Sequence, residues 1–94
     1  MQAQHPDTAN YHIAVVLPCY NEDKAIAKVI KDFKDVLPEA DIHVFDNNST
    51  DRTAEVARAA GARVSHVALK GKGNVVRRMF ADVEADIYLM TDGD

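Results

Sequence analysis

The stretch Tyr11-His12-Ile13-Ala14-Val15-Val16-Leu17-Pro18-Cys19-Tyr20-Asn21-Glu22 decides the fold. Its first seven residues are β-rich, and Ile13, Val15, Val16 and Leu17 leave too little polar alternation for a half-exposed strand. This is the pattern of a strand buried on both faces, from Tyr11 to Leu17 and ending at Pro18. Strands of that kind belong to parallel sheets covered by helices. The next segment supplies such a helix. From Asp23 to Leu37, Ala25, Ile26, Val29, Ile30, Phe33, Val36 and Leu37 make one apolar face. Lys24, Lys28, Lys31, Asp32, Lys34 and Asp35 lie opposite, and Pro38 ends the helix.

The alternation repeats outward from there. Asp41 to Asp46 reads as a second strand through Ile42, Val44 and Phe45, and Asn47-Asn48-Ser49 supplies turn and cap chemistry. A helix is predicted from about Asp51 to Ala60, with Gly61 at its C′ position. Arg63 to Leu69 is a third strand, with Val64 and Val67 as its apolar residues, and Gly71-Lys72-Gly73 is a loop. Asn74 to Glu84 is a third helix burying Val75, Val76, Met79, Phe80 and Val83, and Asp86 to Thr91 is a fourth strand. The order βαβαβαβ predicts an α/β fold. It is Rossmann-like, a three-layer α/β/α arrangement with a mainly parallel sheet and right-handed crossovers.

Length and composition agree with one small domain. The chain has 94 residues, 47% hydrophobic and 28% charged, which excludes a disordered or coiled-coil chain. Its longest uncharged apolar run, Ile13 to Tyr20, falls far short of the roughly 20 residues that span a bilayer. A net charge of −4 makes nucleic acid an unexpected partner, since such binding needs a basic face. Lys70, Lys72, Arg77 and Arg78 nevertheless cluster, either as a solvated helix face or as an anion site. The single Cys19 fits a reducing compartment, and residues 1–11 read as a flexible tail without signal-peptide features. Together these predict a cytoplasmic protein, with residues 12–94 as its domain.

In open α/β sheets, ligands bind at the carboxyl ends of the strands. Four segments fall there: Pro18 to Glu22, Asp46 to Ser49, Lys70 to Gly73, and Asp92-Gly93-Asp94. Together they offer amides, a tyrosine ring, ammonium groups and carboxylates, which suits a nucleoside diphosphate with a divalent metal. Asp92 and Asp94 sit at i and i+2, so both can aim at one point. They read as Mg²⁺ or Mn²⁺ ligands with a diphosphate, or as turn chemistry. Asp46 is a ligand group or an Asx cap, and Lys72 touches a phosphate or is a solvated loop lysine. Asn21 or Asp23 is a candidate N-cap of the first helix. Cys19 has no nearby His in sequence, and His5, His12, His43 and His66 lack metal-ligand spacing. A glycine-rich turn after the first strand and a Gly-x-x-x-x-Gly-Lys-Ser/Thr loop are both missing, which argues against dinucleotide and P-loop chemistry.

Four motifs carry a resemblance: Val15-Val16-Leu17-Pro18-Cys19-Tyr20-Asn21-Glu22, Val44-Phe45-Asp46-Asn47-Asn48-Ser49-Thr50-Asp51-Arg52-Thr53, Gly71-Lys72-Gly73-Asn74 and Asp92-Gly93-Asp94. Their order and spacing resemble the N-terminal, nucleotide-binding half of family-2 glycosyltransferases of the glycosyltransferase A fold. The closest branch resembles dolichyl- or polyprenyl-phosphate sugar synthases, enzymes of cell-wall or glycolipid biosynthesis. The resemblance implies inverting transfer from a nucleotide-diphosphate sugar to an acceptor, with a polyprenyl phosphate as one candidate. It places Pro18, Tyr20, Asn21, Glu22, Asp46, Asn48 and Ser49 around base and ribose, and Lys72 by ribose and diphosphate. Asp92 and Asp94 match its Asp-x-Asp signature for metal and diphosphate. Where the family often has a second acid, this chain has Asn47. The family's general base lies after that signature, so no catalytic residue is named here. The expectation is a chain truncated after Asp-x-Asp that binds donor but does not turn over, whose longer parent works in the cytoplasm or at the cytoplasmic membrane face. The alternative is a non-catalytic nucleotide-binding module.

Overall fold

Strands and helices alternate along the computed structural model, which describes residues 11–68 and 71–91, with Lys72 described by its backbone alone. They are β1 (Ile13–Cys19), α1 (Ile26–Val36), β2 (Asp41–Asp46), α2 (Thr53–Ala59), β3 (Arg63–His66), α3 (Lys72–Asp82) and β4 (Ile87–Met90). Every strand pairing is parallel, in the order β3-β2-β1-β4. The predicted α/β architecture holds. The expected tail lies almost wholly in residues 1–10, outside the described residues.

The period-2 alternation of β1 feeds two cores. Val15, Leu17 and Cys19 join Ile42 and Val44 of β2 beneath Ile26 and Ile30 of α1 and Ala57 of α2. Ala14 and Val16 join Phe45 and Val67 beneath Val75 and Met79 of α3 and the following Val83. The sheet is therefore the middle of three layers, as predicted.

β1 does not stop at Pro18. It runs through it to Cys19, in register with Phe45 and Asp46. The reason is hydrogen-bond alternation. The Val16 carbonyl accepts from Thr91 on the β4 side, and the Cys19 carbonyl accepts from Asn47 on the β2 side. Alternation turns Pro18 toward the β4 side, beyond the last β4 pairing at Val16–Met90. A residue without an N–H costs no ladder bond there.

Helix boundaries differ for equally local reasons. α1 starts at Ile26 because Asp23 to Ala25 form a turn closed by the Glu22 carbonyl, which accepts from Ala25 N (3.1 Å) and Ile26 N (2.9 Å). α2 ends as predicted, with Gly61 at φ +98. Gly61 N donates to the Arg58 carbonyl and Ala62 N to the Ala57 carbonyl, the paired bonds of a Schellman cap. α3 begins at Lys72, two residues before the expected Asn74, because the Gly71 carbonyl accepts from Asn74 N and Val75 N. β3 ends at His66, short of Val67. Two residues expected in the core are exposed: Val36 at 75% and Phe80 at 59%. Both lie on the flank of their helix. Phe80 instead meets the edge of Tyr88, with ring centroids 5.0 Å apart.

Among the described residues, three titrating groups make stability sensitive to acid. Burial pushes the His43 imidazole below its ordinary value, helped by Arg63 and His12 and opposed by Asp41. The hydrogen bond from His12 Nε2, at 2.6 Å, holds Asp41 below the usual carboxylate range. At Asp51, desolvation works upward but hydrogen bonds from Thr53 and Asp23 prevail and lower it. All three groups bind fewer protons folded than unfolded, so stability is full above the unfolded values and falls with pH. The first loss is expected as pH drops below about 6.5, from His43, and a second below about 4, from the carboxylates. Urea midpoints at pH 7.5, 5.5 and 4 check this, and His43→Gln should flatten the first step. A wild-type midpoint unchanged from pH 7.5 to 5.5 contradicts it.

Candidate functional site

Parallel pairing brings the strand ends to one edge of the sheet. Cys19 of β1 is in register with Asp46 of β2, and Asp46 with His66 of β3. β4 ends level with Val16 of β1 and leads into Thr91. The loops predicted to converge therefore do so as far as they are described. Asp92, Asp94 and Lys70 lie outside the described residues, and Lys72 is placed only as the first residue of α3.

Asp46 is a buried carboxylate, 4% exposed, at the centre of this edge. Its Oδ1 accepts from Ser49 N at 3.3 Å inside the loop, so Asp46 does not cap α2, which starts only at Thr53 and has no side-chain cap. Its Oδ2 lies 3.3 Å from His66 Nδ1. Arg58 holds the other side of that ring, 3.3 Å from Nε2. A guanidinium only donates, so Nε2 accepts and Nδ1 carries the proton toward Asp46. His66, which lacked metal-ligand spacing in the sequence, thus orients the buried acid. Its spacing carried no signal because its partners are 8 and 20 residues away.

The first two loops are laced together. Asn21 N donates to Ser49 Oγ (2.8 Å), and Asn21 Oδ1 accepts from Thr50 N (2.8 Å). Glu22 N donates to Thr53 Oγ1 (2.8 Å), and Asp23 N to Asp51 Oδ2 (3.2 Å). Asp23 Oδ2 accepts in turn from Arg52 N at 3.5 Å. Asn21 and Asp23 do not cap α1, which has no side-chain cap. Their cap-like oxygens serve the neighbouring loop instead. Asp51 Oδ1 accepts from Thr53 N at 2.9 Å and steadies the start of α2. Asn21 sits at φ +53, a left-handed conformation that asparagine tolerates. Among the predicted site residues, Tyr20 is exposed beside this lacing, at 58%.

The second and third loops are joined by amides. Asn47 Nδ2 donates to the Val67 carbonyl at 2.9 Å, and Asn48 Nδ2 to the Ala68 carbonyl at 2.8 Å. Asn47 Oδ1 accepts from Gly71 N at 3.4 Å. The amide at position 47 is thus a donor where an ionised acid would offer only oxygens. Cys19 is buried, and its thiol contacts the Leu17 carbonyl at 3.5 Å. Among the described residues no three His, Cys, Asp or Glu side chains group to hold a metal, and no helix is long and apolar enough to cross a membrane.

Parallel three-layer topology with polar loops at the strand ends defines an open α/β class, and comparison with known proteins narrows it. The sequence model of glycosyl transferase family 2 matches residues 14–94. The chain belongs to that family, and its fold is of the glycosyltransferase A type. It is 72% identical over 85 residues to Protein RfbJ of Shigella flexneri, across 90% of this chain and 66% of RfbJ. It is 34% identical over 82 residues to a dolichyl-phosphate hexose transferase of Haloferax volcanii, across 87% of this chain and 36% of that protein. The crystal structure of glucosyl-3-phosphoglycerate synthase from Mycobacterium tuberculosis, in complex with Mn²⁺, uridine-diphosphate and phosphoglyceric acid, superposes with a TM-score of 0.82. There the identity is 33%, over 93% of this chain and 34% of the synthase. The chain therefore spans about two thirds of RfbJ and about a third of the other two.

Proposed function

We propose that residues 12–94 are the donor-binding part of an inverting glycosyltransferase that moves a sugar from a nucleoside-diphosphate sugar to an acceptor. The observation that carries this is the shared edge: buried Asp46 in register with the ends of β1 and β3, inside a family match covering residues 14–94. The synthase that superposes on this chain at 33% identity holds UDP and Mn²⁺, which supports a uridine nucleotide here.

In this reading Pro18, Tyr20, Asn21, Glu22, Asp46, Asn48 and Ser49 surround base and ribose. Asp46 accepts a hydrogen bond from the base, Tyr20 offers its ring, and the laced loops keep the pocket's shape without the nucleotide. Lys72 meets the diphosphate at the start of α3, where the helix dipole favours an anion. Asp92 and Asp94 would hold Mg²⁺ or Mn²⁺; carboxylate oxygens suit these hard cations. The metal, when bound, neutralises charge on the leaving diphosphate. No residue among 12–94 is assigned the role of activating the acceptor. The name of the Haloferax relative supports a lipid-phosphate acceptor, and lone, buried Cys19 supports a reducing, cytoplasmic setting.

Incubating the chain with UDP-glucose or GDP-mannose, Mn²⁺ and a short polyprenyl phosphate is expected to give donor binding by calorimetry and no glycolipid. Glycolipid made by these 94 residues overturns the binding-part reading. No binding of any nucleotide overturns the donor-site reading.

A further inference from the structure

We infer that His66, held in one tautomer by Arg58, is a positioning residue that fixes the Asp46 carboxylate as a hydrogen-bond acceptor and so selects the nucleobase. The inference rests on the donor-site reading of Asp46 given above. Asp46 and His66 are directly opposed in the β2–β3 ladder, and Val67 N donates to the Asp46 carbonyl at 2.9 Å. Register therefore brings the ring to the acid, with His66 Nδ1 3.3 Å from Asp46 Oδ2. Ser49 N holds Oδ1 at 3.3 Å. With a donor on each oxygen the carboxylate plane is fixed, and each oxygen keeps a lone pair for a ligand.

His66 does this only with its proton on Nδ1, because a lone pair there would repel the carboxylate. Arg58, in the last turn of α2, settles the choice. Its Nη2 lies 3.3 Å from His66 Nε2 and can only donate, so Nε2 accepts. The imidazole is thus a rigid bridge from a cation on the helix to the buried acid. As a carboxylate, Asp46 offers only acceptors. Uracil and guanine carry an N–H on the ring nitrogen of their pairing edge, whereas cytosine and adenine carry a lone pair there. The site is matched to the first two. Cytosine's nearest donor is its exocyclic amino group, displaced from that position, and a fixed carboxylate does not follow it.

The test measures UDP and CDP affinity, with Mn²⁺, and the melting temperature, for the full chain and for His66→Ala, His66→Asn, Arg58→Ala and the Arg58→Ala/His66→Asn double variant. The two nucleotides share ribose and diphosphate, so their ratio reports the base contact alone. The unsubstituted chain is expected to prefer UDP at least about tenfold, as for a buried acceptor left without its donor. His66→Ala should weaken UDP about five- to tenfold and leave CDP within about twofold, so the preference collapses. His66→Asn keeps an N–H near the place of Nδ1–H and should bring UDP back to within about twofold of the unsubstituted chain. Arg58→Ala releases the tautomer and should weaken UDP by a smaller factor, and it carries the test if His66→Ala does not fold. Asparagine has no tautomer to release, so the double variant should match His66→Asn for both nucleotides. Equal losses of UDP and CDP in His66→Ala, or no recovery with asparagine, overturn the positioning role and leave the donor site standing. Equal affinity of the unsubstituted chain for UDP and CDP removes Asp46 from base recognition, and the proposal with it.

Discussion

Phe45→Ala is expected to destabilise the chain by about 3–5 kcal/mol, the range for deleting a large buried aromatic ring. Phe45 is 0% exposed, next to the last residue of β2, and it is the largest fully buried side chain among the described residues. A chain this long has roughly 5–14 kcal/mol of total stability, so the change removes a large share of it. The loss should not be even. Phe45 belongs to the core beneath α3, with Ala14, Val16, Val67, Val75 and Met79, and α1 and α2 pack on the opposite face. Hydrogen exchange should therefore speed up first in α3 and only at higher denaturant in α1. Since α3 opens with Lys72, nucleotide affinity should fall before global unfolding. Chemical denaturation with residue-resolved exchange reads both effects. A loss below 1 kcal/mol, or equal deprotection of α1 and α3, contradicts the division of the core.

That division was legible in sequence because it follows from alternation. Val15 and Leu17 had to face one layer, and Ala14 and Val16 the other, once β1 was read as a doubly buried strand. β2 was placed at its observed bounds because Ile42, Val44 and Phe45 are enclosed by proline and asparagine punctuation. The flanks of the helices were less legible. Val36 and Phe80 fit the 3.6-residue period, but spacing does not say which margin of an apolar stripe the sheet covers. The interior of the site was hidden for another reason. Asn21 and Asp23 look like caps for the helix that follows them, and a local reading assigns them to it. Their partners are the backbone N–H groups of Thr50 and Arg52, 29 residues away. The His66–Asp46 contact and the Asn47–Val67 bond likewise exist only once β2 and β3 lie side by side. The convergence of the strand ends followed from topology, whereas the partners of each polar atom followed from register. Register between strands is not written in either strand alone.

Asp94→Ala should change nucleotide binding in opposite directions with and without metal. With Mn²⁺ present, UDP affinity is expected to fall at least about 100-fold, because removing even an outer-shell partner of a metal ligand typically costs 10–100-fold. In EDTA the sign reverses. In the proposed site Asp92 and Asp94 would then meet the diphosphate as bare carboxylates, and like charges about 4 Å apart oppose binding by about 1 kcal/mol even in high dielectric. Removing one should raise UDP affinity a few-fold. Uridine carries no phosphate and should bind wild type and variant alike under both conditions. The substitution lies beyond β4, after the last described ladder contact at Thr91 N to the Val16 carbonyl, so the melting temperature of the nucleotide-free chain should stay the same. A calorimetric titration of both proteins, with Mn²⁺ and then with EDTA, separates the outcomes. Equal losses in both conditions would mean that Asp94 shapes the pocket without a metal. Equal affinity throughout would remove Asp94 from the site. Only the crossing pattern, weaker with metal and tighter without it, identifies a carboxylate whose purpose is to hold a cation against a diphosphate.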